Sequence, residues 1–120
     1  MSAEDMLGLA RALIDDQDYS EQARWRTTAN RSYLAAVVTI SELLIAKKLR
    51  GVYPTDHTFY DAVEYDLLCH VDRGAQDQLR TLKGLRAKAD YRYSADFNKR
   101  DADKSILVAE RLVKKVRGSL

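Results

Sequence analysis

Residues 20–49, SEQARWRTTANRSYLAAVVTISELLIAKKL, decide the fold. Trp25, Ala29, Tyr33, Ala36, Val37, Ile40, Leu43 and Leu44 recur at steps of three and four, which places them on one stripe of a single long α-helix. Ser20 is the expected N-cap, because its hydroxyl can accept from a free amide of the first turn. Gly51 is the expected left-handed stop. The β-branched Thr39 and Ile40 cost only about tenths of a kcal/mol each in a helix, and the stripe outweighs them. Lys47, Lys48 and Arg50 suit the negative end of the helix dipole.

The same period continues on both sides. Met6, Leu7, Ala10, Leu13 and Ile14 outline a first helix over residues 3–16, with Ser2 and Asp5 as its start signal and Asp15-Asp16-Gln17-Asp18 as its end. Beyond the long helix, Tyr53-Pro54-Thr55-Asp56 reads as a loop, with Thr55 or Asp56 capping the next element. Phe59, Ala62, Val63, Leu67 and Leu68 outline a shorter helix that fades near Asp72-Arg73-Gly74. Leu79, Leu82, Leu85 and Ala89 mark a fourth helix over residues 75–89, and residues 92–100 form a connection. Asp101 or Asp103 caps the last helix, whose stripe is Ala102, Ile106, Ala109, Val113 and Val116. With no alternating pattern anywhere, the chain reads as an all-α, antiparallel bundle of four to five helices, one domain over residues 1–120.

Composition excludes several classes. The chain has 120 residues, 46% hydrophobic and 32% charged, enough for one core and too apolar for a disordered chain. Its longest stretch without a charge is residues 32–41, far short of a bilayer span, so no membrane segment is expected. Glu4 and Asp5 stand where a secretory leader would be basic. Cys69 is the single cysteine, so no internal disulfide can form, and a reducing cytoplasm is the expected compartment.

The net charge of +2 conceals an uneven distribution. Residues 1–22 hold six acids (Glu4, Asp5, Asp15, Asp16, Asp18, Glu21) against Arg11 alone, a balance of −5. Residues 24–31 hold Arg24, Arg26 and Arg31 with no acid, giving +3. Residues 80–92 hold Arg80, Lys83, Arg86, Lys88 and Arg92 against Asp90, giving +4. Basic runs are commonly solvated helix faces. Here aromatics interleave with them, Trp25 and Tyr33 in one run, Tyr91 and Tyr93 in the other. Unpaired bases stack on such rings, which favours single-stranded RNA over duplex DNA as a ligand.

Two short motifs carry a resemblance. Arg86-Ala87-Lys88-Ala89-Asp90-Tyr91 is an Arg-x-x-Ala-Asp-Tyr run, and Asn30-Arg31-Ser32-Tyr33-Leu34-Ala35-Ala36 lies on the long helix. In this order and spacing, with a last helix carrying Ala102 and Ala109, the chain resembles prokaryotic HEPN-domain proteins over essentially its whole length. The resemblance implies a helical bundle that forms a homodimer, with Arg31 and Arg86 facing a cleft and binding RNA or a nucleotide. Many members are metal-independent endoribonucleases of toxin–antitoxin, CRISPR and phage-defence systems. They use Arg-x4–6-His, and some are silenced by a small nucleotidyltransferase partner that modifies a tyrosine two residues beyond that histidine. In this chain the histidine position reached from Arg86 holds Tyr91, and Tyr93 takes the place of the modifiable tyrosine.

The resemblance therefore assigns Arg86, Tyr91 and Asp90 as catalytic candidates, and Arg31, Arg86, Lys83 and Arg92 as contacts to RNA or nucleotide. Arg86 and Asp90, four apart on one helix, also fit an ordinary intrahelical ion pair. RNA cleavage without a metal needs groups that titrate near neutrality, and a phenol with a pKa of about 10 meets that need poorly. His57 and His70 are the two imidazoles, each read first as structural or solvated and second as a base delivered from elsewhere in the fold. With Cys69 they show no metal-ligand spacing, so neither metal nor cofactor is expected. Two classes remain open: a ribonuclease, or a non-catalytic binding module or adaptor.

Overall fold

A computed structural model describes residues 3–14, 20–92 and 97–120. Five helices make up the described chain: α1 (Ala3–Ile14), α2 (Glu21–Ala46), α3 (Thr58–His70), α4 (Arg73–Tyr91) and α5 (Lys99–Ser119). The start signal at Ser2 and the acidic stop at residues 15–18 lie outside the described residues. At about 1.5 Å per residue the 26-residue α2 is about 39 Å long, which accounts for the long axis of a molecule measuring 42 × 25 × 25 Å. Helix α2 is the hub and packs against all four of the others. Among the described residues no helix is long and apolar enough to cross a membrane.

The stripe on α2 is the centre of the core. Tyr33, Ala36, Val37, Ile40 and Leu44 are buried, and Val63, Leu67, Leu79, Leu82, Leu112 and Val116 meet them from α3, α4 and α5. A second cluster gathers Ala10, Ala29, Ala89, Phe97, Ala102 and Ile106, with Trp25 against it. Phe97 belongs to the segment expected as a connection, yet it is fully buried. The joint before α5 is therefore anchored by a ring.

Several ends fall elsewhere than expected. Ser20 does cap α2, its hydroxyl accepting from the Ala23 amide at 3.2 Å. The other end closes at Lys48, not at Gly51. Lys48 carries φ 59°, and the Leu49 amide donates to the Leu44 carbonyl at 3.0 Å, so the turn closes before the glycine is reached. A side chain in the left-handed region is unfavourable by about 1–2 kcal/mol, part of which glycine's greater freedom in the unfolded chain offsets. Lys48→Gly is accordingly expected to stabilise the fold by about 0.5–1 kcal/mol in chemical denaturation. A lowered midpoint would contradict it.

Helix α4 starts before Gly74, because Asp72 is its N-cap and the helix runs through the glycine. Helix α5 starts at Lys99, where Asn98 caps and Asp101 returns the bond to the Asn98 amide as a capping box. Asp72 also ties α4 to α5. Its Oδ1 accepts from Lys115 Nζ at 2.9 Å and from the Ala75 amide at 2.7 Å, and these bonds, the lysine's foremost, hold its carboxyl below the ordinary 3.8. A carboxylate with a depressed folded pKa contributes stability above its unfolded value and loses it as pH falls through the folded one. Wild-type stability should therefore fall more steeply than that of Asp72→Asn as the pH is lowered below 3.8. Parallel acid limbs in denaturation would contradict this assignment.

Candidate functional site

Near the C-terminal end of α4, the helix faces α2 through polar side chains. Asn30 Nδ2 donates to Asp90 Oδ2 at 2.9 Å, and Arg86 Nε donates to the same oxygen at 3.2 Å. The Arg86 guanidinium lies 5.4 Å from the centroid of Tyr33 and 5.7 Å from that of Tyr60. Those rings are stacked, 5.8 Å apart with 25° between their planes. Asn30 and Tyr33 come from one motif, Arg86 and Asp90 from the other, and Tyr60 from α3. The two sequence motifs thus meet in space.

The electrostatics follow from this packing. Burial opposes the charge on Arg86, but the bond to Asp90 and the neighbouring Tyr91 hold its pKa above the ordinary value. Its Nε is committed to Asp90, and neither Nη group makes a hydrogen bond among the described residues. The guanidinium is therefore fixed at one edge and open at the other. Burial, then the nearby Glu64 carboxylate, push the Tyr33 phenol up to about 12 against the opposing effect of Arg86. The phenol stays neutral at physiological pH and adds no negative charge beside Arg86.

Two clefts flank this cluster. The first, of about 290 Å³, is lined by Tyr33, His57, Tyr60, Asp61, Lys83, Arg86, Ala87 and Tyr91. The second, of about 430 Å³, is lined by Ala23, Arg26, Thr27, Asn30, Arg31, Ala89, Asp90 and Tyr91. Lys83, Arg86 and Tyr91 thus come together in one cleft, and Arg31, Asp90 and Tyr91 in the other. Arg92 lines neither; it caps α4, and its carbonyl accepts from Arg26. Tyr93 lies outside the described residues.

Much of the clustered positive charge is engaged within the fold. Arg24 is buried. Arg26 Nη1 donates to the carbonyls of Lys88, Ala89 and Arg92 at 3.0–3.3 Å, serving the negative end of α4. Arg80 lies 3.7 Å from Glu64, Lys83 3.7 Å from Asp61, and Lys88 3.1 Å from Asp101. Arg31 has no ion pair or hydrogen bond among the described residues. The focus of available charge is therefore narrower than the runs suggest: Arg86 in one cleft, Arg31 in the other, and the exposed Arg92 at the end of α4 outside both.

Two members of the site, Tyr60 and Asn30, carry no sequence signal of their own, whereas His57 is one of the two imidazoles weighed as a base delivered from elsewhere in the fold. His57, Tyr60, Asp61 and Glu64 in fact follow a helical spacing along one side of α3, a stripe of polar and aromatic groups that could have been read. His57 lines the Arg86 cleft, whereas His70, at the far end of α3, lines neither.

Such a site can hold an anionic group against a pre-positioned guanidinium, with aromatic surface alongside. The model of the HEPN domain matches residues 2–119. No curated protein and no solved structure matches the chain. A match of that extent, on a helical bundle whose two motifs converge on one arginine, means that the chain belongs to the HEPN family.

Proposed function

We propose that this protein binds RNA or a nucleotide by a phosphate held on Arg86, and that it works as a homodimer in a toxin–antitoxin or phage-defence system. HEPN domains are nucleotide- and RNA-related modules that commonly dimerise. The observation that carries the reading is the Arg86 cluster. Asp90, itself held by Asn30, accepts from Nε, the tyrosine pair supports the cationic plane, and two Nη groups are left for an oxyanion. A guanidinium fixed beforehand gives up little freedom on binding a phosphate.

A second reading, metal-independent endoribonuclease, is favoured by His57 in the same cleft. Cleavage needs a base to take the proton of the 2′-OH and an acid to protonate the leaving 5′-oxygen. Tyr91 is a poor base, and His57 is the imidazole within this cleft. A nucleotidyltransferase-type antitoxin acting on Tyr93 belongs to the same proposal. Without catalysis, the same surface would serve a binding module or adaptor.

Purified protein incubated with end-labelled single-stranded RNA at low salt tests both readings. Binding that weakens as salt rises is expected, because each neutralised phosphate releases counterions. No retention at low salt would overturn the proposal. With chelator present, cleavage lost in both Arg86→Ala and His57→Ala would establish the nuclease, whereas binding without cleavage would establish the module.

A further inference from the structure

We infer that the outer face of α5 is a docking surface for an acidic α-helix of a different protein, lying along it. Arg100, Lys104, Arg111 and Lys114 are exposed, and none of these side chains makes an ion pair or hydrogen bond among the described residues. Leu107, 45% exposed, stands in their midst. The five recur at steps of four, three, four and three. Side chains at that spacing share one side of a helix, here over about 21 Å at 1.5 Å per residue. That side is opposite Ala102, Ala109 and Val116, which face the core.

The other charges of α5 are used within the fold or lie at the margin. Asp101 accepts from Lys88 Nζ at 3.1 Å and closes the Asn98 cap. Glu110 accepts from Arg11 Nε at 2.7 Å. Lys115 pairs with Asp72, and Lys99 and Arg117 are engaged as well. Asp103 stands at the edge towards α1, where it lines a hollow of about 250 Å³ with Arg11, Ile106 and Leu107. Four cations are thus left without a counter-charge along one face, and two of the three acids on the same helix are already held by cations.

The spacing and the charge together specify the occupant. Alternating steps of four and three keep the same side towards a helix lying alongside, which is why coiled coils repeat that way. Coiled-coil seams are ordinarily apolar, but here all but Leu107 are cations. The facing helix must therefore bring carboxylates opposite the cations and an apolar residue opposite the leucine. A second copy of this chain would set lysine and arginine against lysine and arginine, so the face does not fit itself. An RNA strand would find no ring on α5 to stack a base, and no use for Leu107. A membrane would find one exposed leucine where an interfacial helix needs a whole apolar face.

Fluorescence anisotropy of the full chain at low salt is the test. The probe is a labelled alanine-rich helical peptide about three heptads long, with glutamates at four seam positions and a leucine at the central one. It should bind at least tenfold more tightly than a shuffled peptide of the same composition. The double variant Lys104→Glu/Arg111→Glu should lose at least tenfold in affinity, since two attractions become repulsions. A peptide with lysine in place of the glutamates should bind that variant and not the wild type. Leu107→Gln should weaken the acidic peptide by about fivefold.

No binding of the acidic peptide at low salt would overturn the inference. So would equal binding of the shuffled peptide, which would show attraction to charge without register. A heptauridylate that binds the wild type and is lost in the double variant would make the face a nucleic-acid surface instead. A double variant that changes its oligomeric state by light scattering would assign the face to a contact between copies, and the acidic partner would fall.

Discussion

Arg86→Ala is expected to weaken RNA binding by about 10- to 100-fold, the range for losing a charge-assisted hydrogen bond to a buried or half-buried anion. The size follows from what one side chain does at this site. Its Nε holds Asp90, its plane lies over Tyr33 and Tyr60, and its Nη groups are the open donors of the cleft. Removing it takes away the positive charge and leaves Asp90, held by Asn30 alone, as a negative charge beside the ligand. The fold should survive, because the Arg86 and Asp90 side chains both retain about a quarter of their exposure and water can reach the carboxylate. Arg86→Lys should recover little, since an ammonium cannot hold Asp90 through one nitrogen and present two others in a plane. Titration by anisotropy, with circular dichroism to check the fold, is the measurement. Unchanged affinity in folded Arg86→Ala protein would remove the site.

The largest expected effect on stability is at Phe97. Its ring is fully buried among Ala10, Ala29, Ala89, Ala102 and Ile106. Four of these five neighbours are alanines, which cannot swing in to fill a vacated ring, so most of the void would stay. Phe97→Ala should cost about 3–5 kcal/mol, a large share of the 5–15 kcal/mol typical of a domain. The loss reaches beyond packing. Gln22 Nε2 donates to the Phe97 carbonyl at 2.6 Å, and the Arg26 guanidinium that serves the end of α4 sits 5.5 Å from the ring centroid. A fall in melting temperature of more than about 10 °C is expected. A fall of a degree or two would show that the ring does not hold the joint between α4 and α5.

The bundle was legible in the sequence because periodicity is a local signal. The stripes on α2 and α5 are buried nearly as expected, with Trp25 and Leu43 only half-buried, since a helix places residues three and four apart on one side whatever it packs against. The ends were less legible. Gly51 and Gly74 are natural stops by type, yet Lys48 accepts the left-handed turn and Asp72 begins α4 upstream of its glycine. Capping chemistry there outweighs glycine's reputation as a breaker. Phe97 was hidden for another reason: a lone aromatic between polar neighbours has no period to betray its burial.

The site was half legible. The motifs place Arg86, Asp90 and Tyr33 on their helices, but not the fact that Tyr60 reaches the same cleft from α3 and His57 from the position that precedes it. That juxtaposition is made by helix packing across residues distant in the chain. Charge counting was the weakest guide, because it sees signs and not partners. Of the cations behind the balances of +3 and +4, Arg24 is buried, Arg26 serves a helix end, and Arg80 and Lys83 face the acids of α3. Lys88 pairs with Asp101, and what remains of these cations among the described residues is Arg31, the Asp90-bound Arg86 and the exposed Arg92 at the end of α4.

The most direct test is a nuclear magnetic resonance titration of the whole protein with a short single-stranded RNA. The account predicts that the Arg86 Nε–H resonance and the backbone amides of Tyr60, Ala87 and Tyr91 shift together and saturate with one affinity. Shifts confined to the exposed side of α5, or no shifts at low salt, would contradict it.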